Sequence, residues 1–141
     1  MDEHKPAHAQ VRFYGSSLDP LDVTIALRMP YDHVHRAGEP RLGRRPPSFE
    51  VHEYDPHRSG MWNMSSRKWV DSPNLDEHVR WLLDQLEERR EAVDGLLGGD
   101  VKADIFCYSE GPDPEPPALP KETTTRADAL GMEIIIDHYS D

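Results

Sequence analysis

The chain is poor in residues that cross-link it or carry it through a membrane. It has 1 Cys in 141 residues, so no internal disulfide can form, and nothing in its cysteine content points to an oxidising compartment. No apolar run approaches the ~18–20 residues of a membrane-spanning helix; runs such as Ile134-Ile135-Ile136 have the length of part of a strand. The first residues, Met1-Asp2-Glu3-His4-Lys5-Pro6, lack the apolar stretch of a secretory leader, which makes a cytoplasmic location the expectation. Aromatic residues are only 8% of the chain and hydrophobic residues 36%, against 30% charged. A thin core follows, with a sheet covered on one face only.

Basic side chains are also scarce, 16 against 27 acidic, for a net charge of −11. The imbalance is local. Residues 71–141 carry 6 basic against 18 acidic side chains, a net −12, whereas residues 31–70 carry 7 against 5, a net +2. An acidic half repels a phosphate backbone, which argues against nucleic-acid binding. A length of 141 residues suits one domain. Residues 1–9 read as a flexible tail and 10–141 as a single α+β domain.

Gln10 to Tyr14 alternates apolar and polar positions and predicts a strand. Asp19 then stands as an N-cap before Pro20, with Asp22 in the first turn and Leu18 and Val23 placed for a hydrophobic staple. Val23, Ala26 and Leu27 supply the expected buried stripe, and Pro30 stops the helix near Met29. Prolines and glycines over 31–47 predict a loop. Phe49–Tyr54 and Met61–Ser65 read as two strands of one hairpin. Asn74 and Glu77 form a capping box for a helix whose stripe runs through Leu75, Val79, Leu82, Leu83 and Leu86, is interrupted by Glu87–Glu91, and resumes to Leu97. A strand at 101–108, a proline-rich loop at 111–120, a short helix at 121–130 and a last strand through Ile134 and Ile136 follow. The reading is three helices and a mostly antiparallel sheet of about five strands with helices on one face, ferredoxin-like in its first six elements.

Several short patterns, in order, resemble a known family. They are Gly15-x-x-Leu18-Asp19-Pro20, Gly38-Glu39-Pro40-Arg41, Trp62, Leu75-x-x-His78-Val79-x-x-Leu82-Leu83, Cys107-Tyr108, and Leu130-Gly131-Met132-Glu133-Ile134-x-Ile136-Asp137-x-Tyr139. Over residues 10–139 the chain is similar to domain-of-unknown-function family 4279, a small bacterial family. The resemblance implies a stand-alone α+β domain and supplies no established catalytic residues to carry over. The prolines from Pro112 to Pro117 and the charged run Glu88 to Glu91 depart from the family's pattern.

Among groups that could carry chemistry, the eight histidines raise the question of a metal. His33 and His35 share one side of an extended segment, and His52 and His57 flank the expected hairpin loop. Zn²⁺ requires three or four converging ligands, and solvated loop histidines are the simpler reading, so no metal and no cofactor is expected. Cys107 falls on the apolar side of its strand and reads as an inert, buried thiol. Arg36, Arg41, Arg44 and Arg45 crowd one loop. They either pair with the chain's own acids or bind an anion, since the guanidinium fork suits carboxylate and phosphate. Trp62 and Trp69 read as core and rim packing, an exposed Trp being instead the mark of a binding surface.

Two functions remain open. The first is a non-catalytic protein-binding module, in the manner of an immunity protein, capturing a basic partner through Asp84, Glu87, Glu88 and Glu91 on the long helix. The alternative is a small-molecule or anion-binding domain, with an enzymatic role open, using Arg36, Arg41, Arg44, Arg45 and Trp62.

Overall fold

A computed structural model of the chain describes residues 6–45, 50–54 and 56–140, with strands 41–45 and 50–54 described by their backbone pairing. The elements run β1 (Ala7–Gly15), α1 (Pro20–Leu27), β2 (His33–His35), β3 (Arg41–Arg45), β4 (Glu50–Tyr54), β5 (Gly60–Ser65), α2 (Leu75–Glu87), α3 (Arg90–Leu96), β6 (Lys102–Gly111), α4 (Lys121–Ala129) and β7 (Glu133–Ser140). Five strands form a sheet in the order β2-β5-β1-β6-β7, and β3 and β4 form a separate two-stranded ribbon. Within the large sheet β6 and β7 are parallel, joined across α4, and the other neighbours are antiparallel. The fold is α+β.

The order β2-β5-β1-β6, with α1 between β1 and β2 and α2 and α3 between β5 and β6, is the split βαβ arrangement expected from the sequence. Its second strand is not the expected one. Glu50–Tyr54 pairs with Arg41–Arg45 rather than with Gly60–Ser65, and β5 pairs instead with β1 and β2. The segment expected as a loop therefore holds two strands. β2 is three residues long, too short for an alternating pattern to show. Phe49, expected at the head of a strand, lies outside the described residues.

β1 is longer than Gln10–Tyr14. It begins at Ala7, and Ala7, Ala9, Val11 and Phe13 face the core, so the expected tail gives up its last three residues to the sheet. At the other end Gly15 packs against the chain. A Cβ there would stand 2.6 Å from the Asp100 carbonyl oxygen, so only glycine lets the β1–α1 turn lie on the α3–β6 turn. The contact is pinned by charge as well: the Ser16 and Ser17 hydroxyls and, at 2.8 Å, the Ser17 amide donate to the Asp100 carboxylate.

α1 begins as read, with the Asp19 side chain accepting from the Leu21 amide and Pro20 in the first turn. It ends two residues before Met29, because Arg28 adopts a left-handed conformation with φ 54° and closes the last turn on the Thr24 carbonyl. Val23 and Leu27 are buried, while Ala26 is exposed and Ile25 stands 64% exposed on the outer side.

The long helix is broken. α2 ends at Glu87 and α3 starts at Arg90, with Arg89 at φ −116° and ψ 28° between them. The Arg89 guanidinium donates to the Leu27 carbonyl at 2.7 Å and to the Gln85 carbonyl at 2.9 Å. One cation thus satisfies orphan carbonyls at the C-terminal ends of α1 and α2, where the helix dipoles favour positive charge. The charged run that interrupts the stripe is the place where the chain bends.

The α2 face that meets the sheet is Leu75, His78, Val79, Leu82, Leu83 and Leu86, all buried. The apolar stripe read from the sequence does not include His78. Its Nε2 faces the Ser72 carbonyl at 2.7 Å, and a carbonyl only accepts, so Nε2 carries the proton. Nδ1 then accepts from the Ser66 hydroxyl at 2.6 Å, and the Ser66 oxygen accepts the Ala9 amide at 3.1 Å. Ser66 and His78 are both 0% exposed.

Two predictions follow from these contacts. Ser66→Ala removes the acceptor of the buried Ala9 amide and the donor to His78 Nδ1, and lowers stability by about 2 kcal/mol in chemical denaturation. Ser66→Ala combined with His78→Ala costs less than the sum of the single changes, because the two side chains share one hydrogen bond; additive effects would contradict the relay. The second concerns acid. The serine and amide donors hold the Asp100 carboxyl down from the usual 3.8 to about 2. A depressed carboxylate pKa contributes stability above the unfolded value and loses it as pH falls through the folded one. Unfolding free energy in the wild type therefore drops between about pH 4 and pH 2 by more than in Asp100→Asn; equal slopes would contradict the tether.

Candidate functional site

Among the described residues no helix lies on the sheet's second face, yet that face is largely closed upon itself. At its centre Arg12 makes a two-pronged bond to Asp104, Nε to Oδ1 and Nη2 to Oδ2, both at 2.7 Å, and its guanidinium lies 4.5 Å from the centre of the Phe106 ring. Asp104 is 2% exposed. The His8 and Tyr108 rings stack at 5.1 Å, the Tyr108 hydroxyl donates to Glu110, and the Tyr139 hydroxyl donates to Asp137. Arg12 and Asp104 neutralise each other across β1 and β6, while Glu110 and Asp137 accept from tyrosines of their own strands.

The helix side is different. The turn after β5 closes with the Trp69 and Val70 amides on the Ser66 carbonyl, both at 2.9 Å. This turn sets Trp69 against Trp81 of α2, rings 6.0 Å apart and 11° from parallel. Trp69 is 56% exposed. Trp69, read from the sequence as rim packing, is thus an exposed tryptophan. On α2, Glu77 lies one turn before Trp81 and Asp84 and Glu88 lie one and two turns after it, and all three are exposed. Carboxylates thus flank Trp81 along α2 at helical spacing.

The acids expected to act together divide into two sets. Arg126 of α4 reaches across to α2, with Nη2 at 2.5 Å from Asp84 Oδ1 and 2.7 Å from Glu87 Oε1, and Nε at 3.0 Å from Glu87 Oε2. These bonds pull the Glu87 pKa down and the Arg126 pKa up. Asp84 and Glu87 are thus helix-to-helix clamps as well as surface charges. Glu88 sits 3.6 Å from Arg89 with its side chain 73% exposed, and Glu91 is exposed in the first turn of α3.

Of the expected Arg cluster, Arg36 is the member whose side chain is described, and it does not line an open pocket with Trp62. Trp62 is 0% exposed, edge-on to Phe13 at 6.0 Å, with its indole N–H on the Thr24 hydroxyl at 3.0 Å. Arg36 bonds Asp19 at 3.2 Å and lies 3.9 Å from Glu39. Arg41, Arg44 and Arg45 fall on β3, and their side chains lie outside the described residues, as does that of His52. His33 and His35 meet at 5.6 Å and the His35 and His57 rings stack at 3.6 Å. Burial, then the neighbouring His57 and His33, push the His35 pKa down. Among the described residues no group of three or more His, Cys, Asp or Glu is placed to hold a metal ion.

A second Ser–His pair, not foreseen in the sequence, lines a cavity of about 500 Å³ near the start of α2. His138 Nε2 donates to the Asp113 carbonyl at 2.7 Å and Nδ1 accepts from the Ser109 hydroxyl at 3.0 Å. The pattern is that of Ser66 and His78, which work in the dry core where no substrate reaches. The second pair ties β7 to the proline-rich loop, with both ring nitrogens of His138 engaged inside the fold.

Among the described residues no helix is long and apolar enough to cross a membrane. The family model of DUF4279, a domain of unknown function, matches residues 4–141. No curated protein and no solved structure matches the chain.

Cys107 is 0% exposed, and burial, with a smaller contribution from Asp104, pushes its thiol up to about 12. A thiol so held stays protonated near neutral pH and is a poor nucleophile. The folded protein is expected to react with a thiol reagent at least a hundredfold more slowly than the denatured chain; comparable rates would contradict the burial.

Proposed function

We propose that the chain, which belongs to the DUF4279 family, is a non-catalytic protein-binding module that captures a basic protein. The observation that carries this reading is the exposed Trp69 stacked on Trp81 beside the carboxylates of α2. Tryptophan is enriched among the residues that dominate binding energy, since it buries much area with few torsions. Lys and Arg of a partner are attracted to the ring faces and to Glu77 and Glu88 alike. The net −12 over residues 71–141 adds a longer-range field, which speeds encounter with a cationic surface and weakens with salt.

The anion-binding alternative has less to support it. Trp62 is sealed in the core and Arg36 is engaged with Asp19, so these two do not line a common pocket.

The test is capture of a protein from the source cell on the immobilised chain, at low and high salt. Wild type retains a basic protein at low salt and releases most of it at high salt. Trp69→Ala and the pair Glu77→Lys/Glu88→Lys each lower affinity about tenfold, or about 1.4 kcal/mol, with unchanged circular dichroism. Asp84 and Glu87 are left alone so that the Arg126 clamp stays intact. No salt-sensitive capture, together with a small anion whose binding is lost in Arg36→Ala, would overturn the proposal.

A further inference from the structure

β7 is an edge of the large sheet, eight residues long, paired on one side with β6 from Glu133 to Ser140 without a skipped position. An unpaired edge offers a row of N–H and C=O groups to any extended chain, and proteins commonly blunt it with proline, a bulge or a very short strand. The opposite edge, β2, is blunted by its length of three residues. β7 has neither proline nor bulge.

The ground beside β7 is shaped for a further strand. On the helix side, Ile134 and Ile136 remain partly exposed although their register partners on β6, Ile105 and Cys107, are fully buried. A cavity of about 500 Å³ opens there, lined by Thr124 and Asp128 of α4 and by Met132, Glu133 and Ile134. On the other side, the alternation of strand side chains places Glu133 and Asp137 together.

Charge selects the occupant. A second copy would bring another −11, and two-fold pairing centred on Ile135 would set each Glu133 against the other copy's Asp137. A strand alternating Lys or Arg with apolar residues meets Glu133 and Asp137 with its cations and lays its apolar side chains over Ile134 and Ile136. We infer that β7 accepts an extended, alternating basic segment by strand addition. This deepens the proposed function, on which the basic character of the partner rests, and assigns it a second contact away from Trp69.

The probe is the peptide acetyl-Lys-Val-Lys-Val-Lys-Val-Lys-amide, with two controls: the same peptide N-methylated at alternate residues, and its Glu-for-Lys counterpart. The basic peptide is expected to slow amide exchange over 133–140, and each control to bind at least tenfold more weakly. Glu133→Lys/Asp137→Lys should weaken the basic peptide at least tenfold, while Trp69→Ala leaves it unchanged. Equal binding of the N-methylated peptide, protection confined to other segments, or an unaffected double variant would overturn the inference. So would a dimer in sedimentation with the 133–140 amides already protected, since a second copy would then hold the edge. In these cases salt-sensitive capture that depends on Trp69 still stands for the proposed function. Peptide addition at β7 without such capture would instead refute that function and keep the edge.

Discussion

A buried serine and a buried histidine hold β1, the turn after β5 and the start of α2 to one another. Ser66 accepts from the Ala9 amide and donates to His78, and His78 donates to the Ser72 carbonyl. In a dry core an unpaired group of this kind costs far more than the net gain of a bond once made. The relay therefore tolerates few alternatives: only one rotation of α2, and one path of the 66–72 turn, satisfies all its members together. The same turn carries Trp69 out to Trp81. The exposed aromatic platform is thus held in place by a polar relay beneath it, and surface and core are set by one constraint.

Local signals predicted local structure well. The alternation of β1 and β6, the Asp19-Pro20 helix start and the Asn74 cap each appear where the residues place them. Pairing was less legible. Turn-rich spacing between neighbouring strands predicts a hairpin of 49–54 with 61–65, and nothing in the composition of 41–45 reveals that this segment is extended and pairs with β4 instead. β2 is recognised as a strand only through its partner, with Val34 opposite Trp62. The helix break at Arg89 is visible in the sequence as an interrupted stripe, but its cause is the Leu27 carbonyl, 62 residues away. No local pattern carries that information.

The acidic surface shows the same division. Helical spacing correctly sets Asp84, Glu87 and Glu88 outside the buried stripe of α2. It says nothing of α4, whose Arg126 occupies two of the three. A partially buried Arg held by two carboxylates is a better-defined structural element than a solvated pair. The charge available to a partner is correspondingly smaller than the composition suggests, and it is concentrated on Glu77, Glu88 and Glu91. The arginine loop differs in degree only: Arg36 finds Asp19, its helix-capping neighbour in space.

The surfaces left for function are those that the fold does not satisfy internally. The second sheet face looks at first the more open, since among the described residues no helix lies on it, but Arg12, Asp104 and Phe106 use one another, and the His8, Tyr108 and Tyr139 rings pack together at its far end. A partner would have to break these contacts before gaining any. Trp69 asks for no such exchange. Its ring face is already in water, its position is already set, and covering it releases water without undoing a bond. The β7 edge has the same character, because its outward N–H and C=O groups exchange water for a strand at no cost to β6. A thin core covered on one face thus does more than limit stability. It pushes the unsatisfied apolar and backbone groups to the flanks of the helix layer, and there the chain's acidic residues surround them.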